Sequence, residues 1–204
     1  TMDRVMNKYA TALLALAACA TTPQSRFYTL AAENPAITSA NAGFSLSLGP
    51  VDLPRYLDRP QIVTRGGGNR LVVDEFNRWG GSLEEEIQRV LSAQLAARLG
   101  TERIYAYPSR IVADTDYRVG FEIRSFDGVR GGEVQLDLAW SVIDDRSATV
   151  LSVHRERYVA RSPGEDYAAY AATLSGLLER LAVDLARELG DLVANKNPPL
   201  GGDG

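Results

Sequence analysis

YRVGFEIRSFDGVRGGEVQLDLAWSVIDDRSATVLSVHRERYVA, residues 117–160, decides the fold. Tyr117, Val119, Phe121 and Ile123 alternate with Arg118, Gly120, Glu122 and Arg124. Further on, Val134, Leu136, Leu138, Trp140 and Val142 alternate with Gln135, Asp137, Ala139 and Ser141. A period of two is the signature of strands, whose successive side chains point to opposite faces. DGVRGG and DDRSA have the composition of turns. The segment therefore predicts an antiparallel meander, with TVLSVHRERYVA as its third strand. One apolar and one polar face per strand predict a sheet covered on one side.

Something must cover that side, and two helical patterns supply it. In WGGSLEEEIQRVLSAQLAARLG, Leu83, Ile87, Val90, Leu91, Leu95 and Leu99 share one face. Ser82 and Glu85 have the spacing of a capping box, Glu84 to Glu86 sit where the helix dipole favours anions, and Gly100 is placed to end the helix. A second helix is predicted from about Asp166 to Leu192, striped by Tyr170, Leu174, Leu177, Leu181, Leu185 and Leu192. Ahead of the meander, FSLSLGPV reads as a strand, QIVTRGGGNRLVV as a hairpin with a Gly-rich tip, and ERIYAY as a short strand. Six or seven strands and two amphipathic helices predict an α/β sandwich, with a mixed sheet and the helices packed on it.

The amino end has a different character. Arg4 and Lys8 precede a run, Tyr9 to Ala18, that is apolar apart from Thr11 and too short to span a bilayer. It ends in Leu16-Ala17-Ala18-Cys19, and Cys19 is the only cysteine of the chain. A lone cysteine makes no disulfide within its chain; the alternatives are a small buried residue and a processed one. Leu-Ala-Ala-Cys behind a basic segment looks like the lipobox of bacterial lipoproteins, in which a peptidase cuts before the cysteine and lipid is attached to it. Residues 1–18 then form a signal peptide. Residues 19–42 form a lipidated cysteine and flexible tether, 43–192 a single α/β domain, and 193–204 a disordered tail. Ala20 in place of aspartate points to the inner leaflet of the outer membrane, facing the periplasm. A flexible tether of that length spans roughly 25 Å. RFYTL within it admits two readings, a short strand or a docking patch.

The net charge is −4, and loss of Asp3, Arg4 and Lys8 with the leader removes one further net positive charge. That balance argues against nucleic acid, which calls for a basic face, and against electrostatic attachment to anionic lipid. Catalytic signals are thin. His154 is the single histidine, on the parity of Ser152 and Glu156, and no Gly-x-Ser-x-Gly elbow is present. The carboxylates Asp114, Asp116, Asp144 and Asp145 fall where turn chemistry already explains aspartate. RGGGN lacks the lysine and hydroxyl residue of a phosphate loop. The expectation is a chain with no catalytic residues, metal or cofactor beyond the covalent lipid on Cys19. A lipoprotein hydrolase depending on His154, and a regulator of cell-wall metabolism, stand as alternatives. What remains is recognition. Arg55, Tyr56, Arg59 and Arg65 crowd into one loop region, and Tyr and Arg are the residue types that most often anchor interfaces. The competing reading has Tyr56 packed on the core. Phe76 and Trp79 either staple the first helix or form an exposed aromatic patch, so Trp79 joins the candidates for partner binding.

FYTL, GPVDLPRYLDRPQIVTR, FNRWGGSLEEEIQRVLSAQLAARLG, YRVGFEIRSFDG and LAWSVID, in that order, resemble the ABC-type transport auxiliary lipoproteins, the PqiC-like family. The resemblance runs from about Phe27 to Leu189. It implies a three-layer α/β sandwich of the kind seen in the N-terminal domain of TolB. It also implies a non-catalytic periplasmic lipoprotein that assembles into homo-oligomeric rings. Its partners would be an MCE-domain protein and an ABC permease and ATPase, in systems that move phospholipid or other hydrophobic molecules between membranes and maintain the envelope.

Overall fold

The structure is a computed structural model that describes residues 23–32, 42–109, 111 and 114–196. The leader, Cys19 and residues 197–204 lie outside the described residues. Among those described the order is β1 (Arg26–Tyr28), β2 (Leu46–Asp52), β3 (Gln61–Arg65), β4 (Leu71–Trp79) and α1 (Leu83–Leu99). There follow β5 (Ile104–Ala106), β6 (Tyr117–Gly128), β7 (Glu133–Asp144), β8 (Thr149–Arg161) and α2 (Tyr167–Lys196). The architecture is mixed α/β, as the patterns predict. The predicted hairpin, however, leaves the main sheet. It joins β1 in a three-stranded sheet ordered β1-β4-β3, beside a five-stranded sheet ordered β5-β2-β6-β7-β8.

The meander β6-β7-β8 is antiparallel throughout, while β2 runs parallel to both β5 and β6. Val119, Val134, Leu136, Leu138 and Val142 are fully buried beneath the helices. The α1 stripe from Leu83 to Leu99 is buried as its spacing predicts, as are Tyr170, Leu174, Leu177, Leu181 and Leu185 of α2. Gly100 closes α1 in the left-handed region, at φ 62°, its N–H donating to Ala96 O. Asp166 caps α2 by accepting from the Ala169 N–H at 2.8 Å. The predicted capping box does not form, because the Ser82 side chain makes no cap hydrogen bond. Nor does α2 stop near Leu192; it continues to Lys196.

The larger departure concerns the tether. Arg26, Phe27 and Tyr28 pair in parallel with Asn77, Arg78 and Trp79, so RFYTL is a strand. Beyond it, Leu30 is 1% exposed. Its N–H donates to Glu86 Oε2 at 2.9 Å, its carbonyl accepts from Arg89, and the Ala31 N–H donates to Ser175 Oγ at 3.0 Å. Burying a leucine contributes about 1.5–3 kcal/mol, so residues 26–31 belong to the folded body. Glu86, placed by the first turn of α1, is spent on this strap.

Candidate functional site

The loop between β2 and β3 carries the predicted interface residues, and its geometry starts at Gly49. There φ is 122°, and a Cβ would meet Gln88 Nε2 at 2.7 Å and Tyr107 O at 3.0 Å. Only glycine accommodates that approach. The Gln88 amide uses the space to donate to Leu48 O at 3.2 Å and Tyr107 O at 3.0 Å, tying α1 to β2 and to the segment that follows β5. Leu57, buried at the far side of the loop, donates its N–H to Pro54 O at 2.8 Å and plugs the turn into the core.

At the end of β6 sits Asp127, whose side chain is 0% exposed. Arg65 grips it as a fork, with Nε at 2.6 Å from Oδ1 and Nη2 at 3.0 Å from Oδ2; the Tyr56 hydroxyl donates to Oδ2 at 2.5 Å. A buried carboxylate with three donors is a well-satisfied group. Burial, and then the hydrogen bond to Asp127, push the Tyr56 phenol well above its ordinary range. The hydrogen bond to Asp127 likewise holds Arg65 more firmly protonated than usual. Below the cluster, the Tyr170 hydroxyl donates to Val63 O at 3.2 Å.

The five residues proposed for partner binding thus separate. Tyr56 and Arg65 are brought together, but on Asp127 rather than toward a partner, and Arg65 keeps 39% side-chain exposure. Trp79 is 5% exposed and packed in the core; its N–H donates to Pro60 O at 2.7 Å. Arg55 and Arg59 are exposed. Phe76, paired with Trp79 in the sequence reading, takes the opposite fate at 40% exposure.

The groups weighed for chemistry are engaged structurally. His154 stacks on Trp140, with ring centroids 4.1 Å apart, and its Nε2 lies 3.2 Å from Glu188 Oε1 of α2. Asp116 accepts from the Ser45 N–H and hydroxyl at 2.8 Å and pairs with Arg146 at 2.7 Å; Asp145 pairs with Arg118 at 3.1 Å. Among the described residues, no group of three or more His, Cys, Asp or Glu could hold a metal ion, and no helix is long and apolar enough to cross a membrane.

β8 holds a feature the alternation did not disclose. Trp140 pairs with His154 and Leu136 with Tyr158, so the parity of His154 and Tyr158 faces α2, where His154 meets Glu188. The Tyr158 hydroxyl accordingly donates to Asp184 Oδ2 at 2.8 Å. A register shift between Val142 and Ile143 leaves Val150, Leu151 and Val153 exposed on the outer face. Val150 and Val153, with Pro50, Gly120 and Ile143, line a shallow cleft of about 360 Å³.

The family model described as ABC-type transport auxiliary lipoprotein component matches residues 28–186. Protein XCC0632 from Xanthomonas campestris, of the DUF330 family, superposes with a TM-score of 0.67 at 16% identity, over 85% of this chain and 100% of that one. The crystal structure of an uncharacterized protein superposes at 0.66, also at 16% identity, over 82% of this chain and 99% of that one. At these identities the likeness is one of fold. No curated protein matches in sequence.

Proposed function

The chain belongs to the family of ABC-type transport auxiliary lipoprotein components, and on that premise we propose that it is a non-catalytic docking subunit held on the periplasmic face of the outer membrane by lipid on Cys19. It serves an MCE/ABC-type system that moves phospholipid or other hydrophobic molecules between membranes. Copies of the chain assemble as a ring that receives the MCE protein, and Arg55 and Arg59 meet that partner. The observation that carries the reading is the family match over nearly the whole folded body, joined to a lipobox seven residues ahead of β1.

The strap sharpens the mechanism. Six residues, Ala20–Ser25, separate Cys19 from β1. Even fully extended at 3.3–3.6 Å per residue they reach about 20 Å. The body therefore rests close to the membrane that holds it, and the partner must cover the remaining distance. The loop bearing Arg55 and Arg59 is held by Leu57 in the core and by Tyr56 on Asp127, which suits a surface presented rigidly.

Photo-crosslinkers at positions 55 and 59 in the native host test this reading. Adducts with an MCE-domain protein support it, and adducts only with cell-wall enzymes overturn it. Cys19→Ala should leave a folded body released from the membrane and a permeable envelope; an intact envelope with that variant counts against the anchor.

A further inference from the structure

The three-stranded sheet exposes aromatic side chains where the chain enters from its anchor. Phe27, the second residue of β1, is 66% exposed and Phe76 of β4 is 40% exposed. Phe27 pairs in register with Arg78, which places Phe76 two residues along the neighbouring strand. The exposure of Phe76 is built in. Between Gln61↔Arg78 and Val63↔Val73 the register jumps, so β4 carries extra residues there as a bulge. Asp74 holds that bulge: Oδ1 accepts from the Phe76 and Asn77 N–H groups, each at 2.9 Å, and Oδ2 accepts from the Tyr167 hydroxyl of α2 at 3.0 Å. Leu71 and Val72, farther along β4, are also exposed.

Exposed phenylalanines in a water-soluble body are costly unless something covers them. The length of the connecting chain says what. Phe27 is the eighth residue after Cys19, so it stays within about 28 Å of the lipid whatever path the chain between them takes. Side chains of this type partition into the boundary between headgroups and acyl chains. Arg26 at the start of β1 and Arg78 beside Phe27 have long stems that can lie along apolar surface with the guanidinium at the phosphate level. The net charge of −4 makes general electrostatic attraction a poor source of such contact, so the aromatic pair carries it.

We propose that Phe27 and Phe76 form a membrane-seating patch that inserts into the bilayer holding Cys19 and fixes the orientation of the body on it. The proposal rests on the anchored-lipoprotein reading. With β1 and β4 against lipid, the loop carrying Arg55 and Arg59 keeps one fixed attitude to the membrane, which lipid on Cys19 cannot ensure alone.

The test uses the full acylated chain in vesicles of phosphatidylethanolamine and phosphatidylglycerol in equal parts. Because Cys19 is the only native cysteine and is acylated in that material, Phe27→Cys, Phe76→Cys and Val153→Cys each create one labelling site for an environment-sensitive fluorophore. Fluorophores at 27 and 76 should lose most of their quenching by aqueous iodide and gain quenching by spin-labelled lipid. The fluorophore at 153, on the outer face of the large sheet, should keep its iodide quenching. Protein that floats with the vesicles but leaves 27 and 76 as open to iodide as 153 overturns the patch and leaves the anchor standing. Protection already present before vesicles are added, as a second copy seated on the patch would give, also overturns it. Protein purified from the native host that carries no lipid on Cys19 overturns both.

Discussion

Arg65→Met isolates the buried charge that joins the two sheets. The substitution removes two of the three donors to Asp127 and leaves the Tyr56 hydroxyl alone on a carboxylate with no solvent exposure. Removing one partner of a buried ion pair costs about 3–5 kcal/mol, because the other charge stays desolvated. Arg65 occupies the solvent side of the pair, at 39% exposure. Its loss opens a path for water to the carboxylate, so the expected cost sits at the lower end, about 3 kcal/mol. For a body of this size each kcal/mol moves the midpoint by about 2–4 °C, so the melting temperature should fall by roughly 6–12 °C. Urea unfolding followed through Trp79 and Trp140, both buried, measures it. The sign of the argument is checked by Arg65→Met with Asp127→Leu and Tyr56→Phe, which replaces the whole cluster by apolar groups. That triple variant should recover most of the loss, since an apolar replacement of a buried pair is neutral or stabilising. A single variant within about 1 kcal/mol of wild type, or a triple variant no better than the single, refutes the claim that Asp127 is a buried charge dependent on Arg65.

Three further outcomes are expected. Gly49→Ala must hold φ near 122° with a Cβ driven into Gln88 and the Tyr107 carbonyl; a loss of at least about 2 kcal/mol in urea unfolding is expected, the strained backbone alone costing about 1–3. Burial, then the bond to Asp74, pushes the Tyr167 phenol up to about 12, and Tyr56, Tyr158 and Tyr170 are raised as well. These groups favour the folded state below the unfolded value near 10, and that stability is lost as pH rises above it; phenolate absorbance should show a cooperative step coincident with unfolding rather than a gradual rise. At the acid end, burial works to raise Asp74 and Asp116, but hydrogen bonds from Asn77, Phe76 and Tyr167 to the first, and from Ser45 with the Arg146 charge to the second, outweigh it and hold both low. Their contribution is complete above a pH of about 4 and lost as pH falls below it, so Asp74→Asn and Asp116→Asn should flatten the decline of stability in that range.

Local periodicity made the meander and both helices readable, because each buries one face over many residues and the pattern repeats within the element. What escaped depends on partners far away in the chain. Arg26 to Tyr28 carry too little pattern to decide between the strand and the docking patch that the sequence left open; pairing with Asn77 to Trp79 decides for the strand. Tyr56 and Arg65 have the composition of an interface anchor, yet Tyr and Arg are also the side chains best suited to reach a buried carboxylate. Asp127, inside DGVRGG, looked like turn chemistry until β6 was seen to run through Gly128. In β8 the alternation is present but its sense is reversed, since which parity faces α2 is set by the register with β7.

These departures act in one functional direction. The strap at Leu30 converts part of a supposed tether into body and leaves six residues between Cys19 and β1. Internal bonds engage Tyr56 and Arg65 on Asp127 and His154 on Trp140 and Glu188, the polar groups weighed for recognition or chemistry. The surface left for partners is consequently of two kinds: exposed cations on a rigid loop, at Arg55 and Arg59, and apolar patches on sheet faces, at Phe27 with Phe76 and at Val150 with Val153. In the proposed assembly such a divided surface addresses different neighbours at once, the aromatic patch facing the lipid and the cationic loop held by Asp127 in a fixed relation to the sheets. If that relation matters, Arg65→Met should weaken crosslinking from position 59 in protein that remains folded and membrane-bound. Crosslinking unchanged in that variant would mean the loop finds its partner without needing the buried charge to hold it.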